Sequence, residues 1–370
     1  MNKNICYVTY QTFPASTANS LQTILNIKYF IKNNCYVSLI YPIREKMSSN
    51  SLQEVQDYYD ISENINIENI EHNYPFGRIN IFKGLMFHIS HFLWARKTVK
   101  LIDKEAYDFF ITRSDWIFYY LLKNTNKNVI FECHKTSKLR KFLLNKSLKK
   151  NNAKIIYLNK NLKDTFSKIN NKNNSIVLHN GVDLEKFNFS EVKNNDVIFV
   201  GNLQRYSRSR NLSFVVDGFV KSKLSDFFSL TVIGGPDEKS DLLKAYVEKN
   251  YIDKDINIYG QLSRREAIKY MNKASIGILI NDSKDEHSFL HTSPLKYFEY
   301  LGANLNVVAS NLPAHKELPY SENIQFYDQN DVLSFSRALE EAVYSKSTEI
   351  NLEEISLDHR IKSILKFVNS

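Results

Sequence analysis

The chain has 370 residues, of which 43% are hydrophobic and 24% are charged; this composition fits a globular protein of about two domains and excludes disordered, collagen-like and coiled-coil classes. Lysines, histidines and an arginine interrupt the most apolar region, residues 79–101, so no segment reaches the roughly 18 apolar residues of a membrane-spanning helix. The first ten residues lack a signal peptide's apolar core, and Cys6, Cys35 and Cys133 are too scattered for a disulfide framework or zinc site. We therefore expect a cytoplasmic protein.

The net charge of +9 at pH 7 is unevenly distributed along the chain. Between Lys135 and Lys172, twelve lysines and arginines stand against one acid, Asp164. Such a surface attracts phosphate groups, whether on nucleic acid, on anionic lipid or on a sugar carrier. An ordinary solvated face is an equal alternative, because lysine and asparagine are abundant throughout the sequence.

Short β-branched and aromatic runs alternate with amphipathic segments from end to end. The strands predicted in the first half are Ile5–Tyr10, Tyr36–Tyr41, Phe109–Thr112, Val129–Glu132, Lys154–Leu158 and Ile176–Leu178. Those predicted in the second half are Val197–Val200, Ser229–Ile233, Ile256–Tyr259, Ser275–Ile280, Asn306–Ala309 and Ile324–Tyr327. Helical spacing lies between them, as in Leu21–Lys32, Asp241–Asn250 and Arg264–Lys273. Mostly unbroken apolar strands alternating with helices indicate doubly wound parallel sheets.

The Asn180-Gly181 turn and the polar segment 188–195 indicate a break between two such domains. We predict an N-terminal domain at 1–187, a C-terminal domain at 188–352 and a closing helix at 353–370 that packs back toward the N-terminal domain. Ligands of open α/β sheets bind beyond the carboxyl ends of the strands, so a cleft between the domains is the expected site.

Glycine and arginine follow the strand Val197–Val200. Gly201 lets a ligand approach the backbone closely, and Arg205 and Arg210, supported by Arg208, can bracket a diphosphate with paired hydrogen bonds. A basic exposed loop without a ligand is the alternative.

The segment 292–302 predicts a helix with an anion site at its start. Ser293 is the expected N-cap, Pro294 occupies the first helical position, and the free N–H groups there attract phosphate. Glu299 follows Leu295 by four residues and should lie half-buried, where the two hydroxyls of a ribose could donate to it. Pairing of Glu299 with a nearby lysine is an equal alternative.

His134 follows the strand Val129–Glu132 and is placed to donate to a sugar hydroxyl or a phosphate, although a structural histidine is the more common case. The small-residue loop 14–20 allows close approach of a ligand, but it is not the glycine-rich loop of a dinucleotide site. P-loop, metalloprotease, serine-hydrolase and zinc motifs do not occur in the sequence. The one Asp-x-Asp, at Asp253 and Asp255, favours a surface turn, so we expect phosphate to be neutralised without metal.

Together these motifs resemble a GT-B glycosyltransferase of family 4, a group of retaining enzymes that use nucleotide-sugars. The resemblance covers nearly the whole chain and implies two Rossmann-like doubly wound domains facing a central cleft. The motifs that carry it are His179–Asp183 with Phe187, Phe199–Gly201, Val232–Gly235, Tyr259–Gly260 before Ala274–Gly277, Ser293–Lys296 with Phe298–Tyr300, and Val308–Ser310 with Leu312–Ala314.

The resemblance implies a role for each candidate residue. Arg205 and Arg210 would stabilise the donor diphosphate as catalytic residues, Glu299 would bind the ribose, and His134 would approach the donor sugar. Ala18 and Asn19 stand where many relatives have two glycines in an acceptor or phosphate loop. The other donor-binding residues that it implies are Gly201, Asn202, Gly260, Gln261, Leu262, His291, Ser293, Leu295 and Lys296.

The expected function is therefore sugar transfer to a glycan or lipid-linked acceptor in bacterial surface polysaccharide synthesis, with no metal or cofactor and no nucleic-acid partner. His291 replaces a glutamate that many relatives carry, which leaves the donor sugar open and a non-catalytic scaffold possible. A nucleotide-sugar epimerase using Glu132 or Asp115, and a nucleic-acid-binding module, are the alternatives. The basic region and Phe82, Phe87, Phe92 and Trp94 suggest peripheral contact with an anionic membrane.

Overall fold

The computed structural model describes residues 2–44, 48–72, 83–169, 174–205, 208–345 and 348–370, without the side chains of Lys83, Ile169, Arg205, Arg208 and Ser209. The chain forms two units, one of residues 1–179 with 357–370 and the other of residues 180–356. The first boundary precedes the predicted 187/188, because Val182 is buried in the core of the second unit and donates its N–H to Ile355 O at 2.9 Å.

A parallel sheet of seven strands forms the centre of the first unit, in the order β3-β2-β1-β4-β5-β6-β7. The strands are β1 (Lys3–Val8), β2 (Cys35–Tyr41), β3 (Asn66–Asn69), β4 (Phe109–Thr112), β5 (Asn128–Cys133), β6 (Ala153–Tyr157) and β7 (Ser175–Val177). The edge strand β3 was not predicted, since three of its four residues are polar and its place depends on backbone pairing with β2.

Helices cover both faces of this sheet because alternate strand residues point to opposite sides. Ile5 and Tyr7 of β1 lie in one core, whereas Cys6 and Val8 lie in the other. The helices are α1 (Ala18–Lys32), α2 (Leu52–Tyr59), α3 (Lys83–Leu101), α4 (Asp115–Asn124), α5 (Lys138–Ser147) and α6 (Lys160–Thr165).

The helix α1 begins three residues before the predicted Leu21. The Thr17 side chain accepts a hydrogen bond from the N–H of Ser20 and caps the helix there. Ala18 and Asn19, predicted as loop residues, therefore lie in its first turn.

The second unit contains a parallel sheet of six strands in the order β12-β11-β8-β13-β14-β15, and a two-stranded hairpin. The strands are β8 (Asp196–Val200), β9 (Gln204–Arg205), β10 (Arg208–Ser209), β11 (Ser229–Ile233), β12 (Ile256–Tyr259), β13 (Ile276–Leu279), β14 (Asn306–Ser310) and β15 (Ile324–Tyr327). The helices are α7 (Leu212–Lys221), α8 (Asp237–Asn250), α9 (Arg264–Lys273), α10 (Leu295–Gly302), α11 (Pro313–Lys316) and α12 (Val332–Tyr344).

Strand β8 shows the same two-sided burial, with Val197 and Phe199 in one core and Ile198 and Val200 in the other. The start of α10 differs from the prediction by one position, because Pro294 is the N-cap residue. The hydroxyl of Ser293, predicted as the cap, instead accepts the N–H of Asn180 at 3.0 Å.

The last helix, α13 (Leu357–Asn369), belongs to the first unit. Leu357, Ile361 and Ile364 lie in the core that also holds Ile5 and Tyr7. No helix in the described part of the chain is both long and apolar enough to cross a bilayer.

Candidate functional site

The predicted donor-binding residues of the second unit lie at the carboxyl edge of its sheet. Gly201 follows β8 and Gly260 follows β12, so the loops after these strands start side by side with the loop after β11. The N–H of Gly201 donates to Ile233 O at 2.9 Å, and the N–H of Leu203 donates to Gly235 O at 2.7 Å. These bonds join the loops after β8 and β11 into one surface.

Two glycines are required by the closeness of these loops. A Cβ on Gly234 would lie 1.8 Å from the carbonyl oxygen of Gly201, and one on Gly260 would lie 2.6 Å from Oδ1 of Asp237. The same Asp237 oxygen accepts the N–H of Gln261 at 3.1 Å. A side chain at Gly234 would displace the backbone of Gly201, whereas one at Gly260 would displace the Asp237 carboxylate that accepts the N–H of Gln261.

Two further predicted residues border this surface. Asn202 is exposed, and its Oδ1 accepts the N–H of Gln204 at 2.9 Å. Leu262 is half-buried against the core that contains α9 and α10.

Arg210 donates hydrogen bonds to two segments of the sheet edge, the one between β8 and β9 and the one after β13. Its N–H donates to Leu203 O at 2.9 Å, and its Nη1 donates to Ile280 O, just after β13, at 3.2 Å. The backbone of Arg205 ends β9, but its side chain, like that of Arg208, lies outside the described part of the chain. The pairing of Arg205 and Arg210 on a diphosphate therefore stays a prediction.

Glu299 is more buried than predicted, with 4% of its surface exposed. Its Oε2 accepts a hydrogen bond from Lys296 Nζ at 2.5 Å, and its Oε1 accepts one from Arg264 Nη1. Burial opposes ionisation of this carboxyl, but the charges of Lys296 and Arg264 lower its pKa to about 2. The lysine pairing considered as an alternative is thus present, and Glu299 is an ionised, fixed acceptor.

The start of α10 supplies backbone donors beside this carboxylate. Among the described residues no side chain caps it, so the N–H groups of its first turn, which contains Leu295, keep the partial positive charge of a helix N-terminus. His291 ends the π-helical turn His287–His291 just before it and is buried. A π-helical turn is often found at a functional site.

In the first unit, His134 follows β5 at the carboxyl edge of the sheet. Its Nε2 lies 3.8 Å from Oε2 of Glu132, which is longer than a hydrogen bond. Burial and the neighbouring Arg113 lower the pKa of His134 to about 3, so the imidazole is neutral at physiological pH.

Glu132 is the centre of a buried ion-pair network. Its oxygens accept from Arg113 Nε at 2.8 Å, from the hydroxyl of Tyr7 at 3.2 Å and from Arg360 Nη2. Burial opposes ionisation, but the two guanidinium groups hold the pKa of Glu132 well below its usual range. A carboxyl in this state has no proton to donate, which argues against Glu132 as the acid of an epimerase. Asp115, the other epimerase candidate, forms an ion pair with Arg140, whose Nε lies 2.6 Å from Oδ1 of Asp115.

Arg113 connects two predicted site residues and was missed at the sequence level. Its Nη1 donates to the carbonyl oxygen of Asn19 at 3.0 Å, while its Nε binds Glu132 beside His134. The available signal was its position directly after β4, the same signal that selected His134 after β5. Ala18 and Asn19 are themselves exposed in the first turn of α1.

Arg264 and Arg360 were also missed. Arg264 opens α9 four residues after Gly260, so it shares the carboxyl edge of the sheet with Glu299. Arg360 stands on the apolar stripe of α13, where a charged residue is unexpected, and its Nη1 donates to His179 O at 2.8 Å. Within the described ranges, no three His, Cys, Asp or Glu residues are grouped to hold a metal ion.

Residues 194–344, which form most of the second unit, match the family model described as glycosyl transferases group 1. This region is a group 1 glycosyltransferase domain. A search of curated protein sequences finds no match. The site residues of the second unit from Gly201 to Glu299 all fall inside this domain.

The whole chain is similar to solved glycosyltransferases. A glycosyltransferase from Rickettsia africae ESF-5 is 16% identical with a TM-score of 0.69, covering 100% of this chain and 98% of that one. The lipopolysaccharide outer core galactosyltransferase WaaB is 13% identical with a TM-score of 0.60, covering 99% and 97%. A trehalose-6-phosphate structure from E. coli bound with UDP-2-fluoro glucose is 11% identical with a TM-score of 0.63, covering 99% of each chain.

These likenesses show the GT-B fold, and the predicted class of two parallel-sheet α/β domains is confirmed. The predicted glycosyltransferase family is confirmed as well. The roles assigned to individual residues stay predictions.

Proposed function

We propose that this chain is a retaining, metal-independent glycosyltransferase that moves a hexose from a nucleotide-sugar to a glycan or lipid-linked acceptor. The observation that carries the proposal is the carboxyl edge of the second unit. There, within a group 1 glycosyltransferase domain, Arg210 binds the end of β13, the loops around Gly201 and Gly260 leave their backbone open, and the buried Glu299 pairs with Arg264 at the start of α9.

Glu299 is the proposed acceptor for the two ribose hydroxyls of the donor. A carboxylate offers about four lone-pair sites, so it can accept the hydroxyls while retaining Lys296 and Arg264 as partners. Those two cations keep it ionised and fix its orientation before the donor arrives. Backbone groups of residues 260–262 are proposed to hold the base.

The arginines and the start of α10 are proposed to stabilise the leaving diphosphate. As the bond between the sugar anomeric carbon and the phosphate oxygen breaks, negative charge develops on that oxygen, where Arg205, Arg210 and the N–H groups of Leu295 and Lys296 would bind it. The acceptor oxygen forms its bond on the same face, and its proton passes to an oxygen of the departing diphosphate. Retention follows, and no side-chain base is required.

His134 is proposed to hydrogen-bond a hydroxyl of the donor sugar, and Asn19 to contribute to acceptor or phosphate binding. A neutral imidazole can both donate to and accept from a hydroxyl, and the low pKa of His134 keeps it in that form. Arg113 would fix the carbonyl of Asn19.

The proposed setting is surface polysaccharide synthesis, such as capsule or O-antigen, on the cytoplasmic side of a bacterial membrane. Support comes from the similarity to WaaB, whose name states a lipopolysaccharide outer core galactosyltransferase. The basic region 135–172 suits an acceptor that carries phosphate.

The test is a thermal-shift and turnover screen of the full chain against UDP, GDP, ADP and CMP sugars, with and without EDTA. We expect stabilisation by one nucleotide-sugar and slow hydrolysis that survives EDTA and first releases the donor's own anomer. Activity abolished by EDTA would overturn metal independence, and release of the opposite anomer would overturn retention. Failure of every nucleotide-sugar to bind would favour a non-catalytic scaffold.

A further inference from the structure

One face of the first unit is formed by α3, α4 and α5. All three helices pack on the same side of the sheet, into the core that contains Cys6 and Val8, and α4 contacts both of the others. Their outer surfaces therefore adjoin. This surface, residues 85–101 with 116–123 and 138–150, is called the α3–α5 face below.

The α5 part of the α3–α5 face carries positive charge without compensation. Lys138, Lys141, Lys146 and Lys149 are exposed, and the sequence contains no acid between positions 133 and 163. Within the described chain, none of these four lysines forms an ion pair. Such a one-signed surface attracts an anionic partner.

Apolar side chains project from the same face. Leu85 is 60% exposed, Leu93 37% and Phe142 55%, and Lys146 Nζ lies 4.5 Å from the Phe142 ring centroid. Transfer of apolar side chains of this size out of water lowers the free energy of the system. An exposed apolar side chain with lysines around it suits contact with a layer that is anionic at its surface and apolar beneath it.

Half-buried aromatic rings lie between these two parts. The ring centroids of Phe92 and Trp116 are 4.9 Å apart, and those of Phe92 and Tyr120 are 5.7 Å apart. Tyr119 receives Lys123 at 4.4 Å from its ring centroid. Tryptophan and tyrosine beside lysine are typical of the headgroup level of a bilayer.

The aromatic patch predicted from the sequence is therefore partly wrong. Trp94 is buried and donates its Nε1–H to Ile70 O at 2.9 Å, and Phe87 packs against the core beside Tyr10. Phe82 lies outside the described residues. Of the four, Phe92 belongs to the aromatic cluster of the α3–α5 face.

We propose that the α3–α5 face docks on an anionic lipid bilayer, with Leu85, Leu93 and Phe142 entering the headgroup region and the α5 lysines contacting lipid phosphates. A nucleic acid would satisfy the lysines, but it would leave the separate exposed leucines of α3 without a partner. The inference goes beyond sugar transfer, since it concerns binding that requires neither donor nor acceptor.

The test is sedimentation of the full chain with vesicles of phosphatidylcholine alone and of phosphatidylcholine mixed with phosphatidylglycerol. We expect binding only to the anionic vesicles at about 50 mM salt, falling at least tenfold at about 500 mM salt because surface charges are then screened. The double variant K141E/K146E should bind at least tenfold more weakly than the wild type. The double variant L85S/F142S should lose the residual binding at high salt.

The control is K249E/K273E, which makes the same change in net charge on exposed residues of the second unit and should bind as the wild type does. Thermal unfolding of each variant verifies folding, and the salt series on the wild type needs no variant. Equal loss in the control, equal binding to neutral vesicles, or binding to single-stranded polyuridylate without binding to vesicles would overturn the proposal. Sugar transfer is measured separately, so its failure is distinguishable.

Discussion

Arg113 Nε lies 2.8 Å from Oε2 of Glu132, and both side chains are almost completely buried. The same guanidinium donates from Nη1 to the carbonyl oxygen of Asn19, and Arg360 of the last helix binds the other oxygen of Glu132. A single carboxylate thus holds together the start of α1, the end of β4 and α13.

Replacing Glu132 by glutamine should destabilise the first unit by about 3–5 kcal/mol, because two buried guanidinium groups lose their counter-charge. Denaturant unfolding of the full chain measures this. The matched control is Glu105→Gln, which removes an ion pair with Lys127 from an exposed surface and should change nothing measurable. Equal stability of the two variants would contradict the role given to Glu132.

Replacing Arg210 by alanine should lower kcat by about 30- to 1,000-fold, equivalent to about 2–4 kcal/mol of barrier. Arg205→Ala should act similarly, because both arginines are proposed to bind charge that develops on the diphosphate. Steady-state kinetics with the donor found by the screen measure the loss. Arg265→Ala, an exposed arginine of α9, is the control. Unchanged turnover in Arg205→Ala or Arg210→Ala would remove that arginine from the mechanism.

Replacing Glu299 by glutamine should raise the KM for the nucleotide-sugar at least tenfold, since one strong acceptor for the ribose hydroxyls is lost. Glu266→Gln on the neighbouring helix retains its capping function and should leave KM unchanged. Equal KM values in the two variants would contradict the proposal that Glu299 binds the ribose hydroxyls of the donor.

Glu299 should also contribute to acid unfolding. Its pKa in the folded state is about 2, below its usual 4.5, so its stabilisation is complete above pH 4.5 and is lost as the pH falls toward 2. Unfolding free energies measured across this range should fall less steeply for Glu299→Gln than for the wild type. Parallel curves would show that the pair with Lys296 and Arg264 contributes no pH dependence.

His134 should not titrate in the working range of the enzyme. Its folded pKa is about 3 and its usual value is 6.5, so the unfolded chain takes up a proton as the pH falls below 6.5 and the folded chain does not. Stability is therefore lost between pH 6.5 and 3, while kcat/KM should show no inflection near pH 6.5 that disappears in His134→Gln. Such an inflection would mean that His134 acts as an acid or base.

Gly234→Ala should unfold or distort the loops after β8 and β11, because the new Cβ would lie 1.8 Å from Gly201 O. Gly84→Ala, in α3, meets nothing within 4 Å and should be neutral or stabilising by up to about 1 kcal/mol. Thermal unfolding and nucleotide binding compare the two. A Gly234→Ala variant that binds nucleotide normally would show that these loops tolerate separation.

Much of the fold was predictable because strands buried on both faces leave a strong apolar pattern. Every strand predicted from such a run is present, whereas the polar edge strand β3 and the hairpin β9–β10 left no such signal. The start of α10 was predicted one residue too early, because the hydroxyl of Ser293 does not cap the helix but accepts the N–H of Asn180, which is distant in sequence.

The candidate site was predictable where a residue directly follows a strand, as Gly201 and His134 follow buried strands and Gly260 follows the edge strand β12. Arg264 and Arg360 were missed because their roles arise from tertiary pairing with Glu299 and Glu132, respectively. The sequence near each arginine does not indicate which distant residue it pairs with in the folded chain.

The position of α13 has a consequence for biosynthesis. The ribosome synthesises the whole second unit, through residue 356, before it adds residues 357–370 of the first unit. The first unit lacks until then the helix that carries Arg360, Ile361 and Ile364, so Glu132 has only one of its two guanidinium partners. The first unit is thus completed only after the whole second unit has been synthesised.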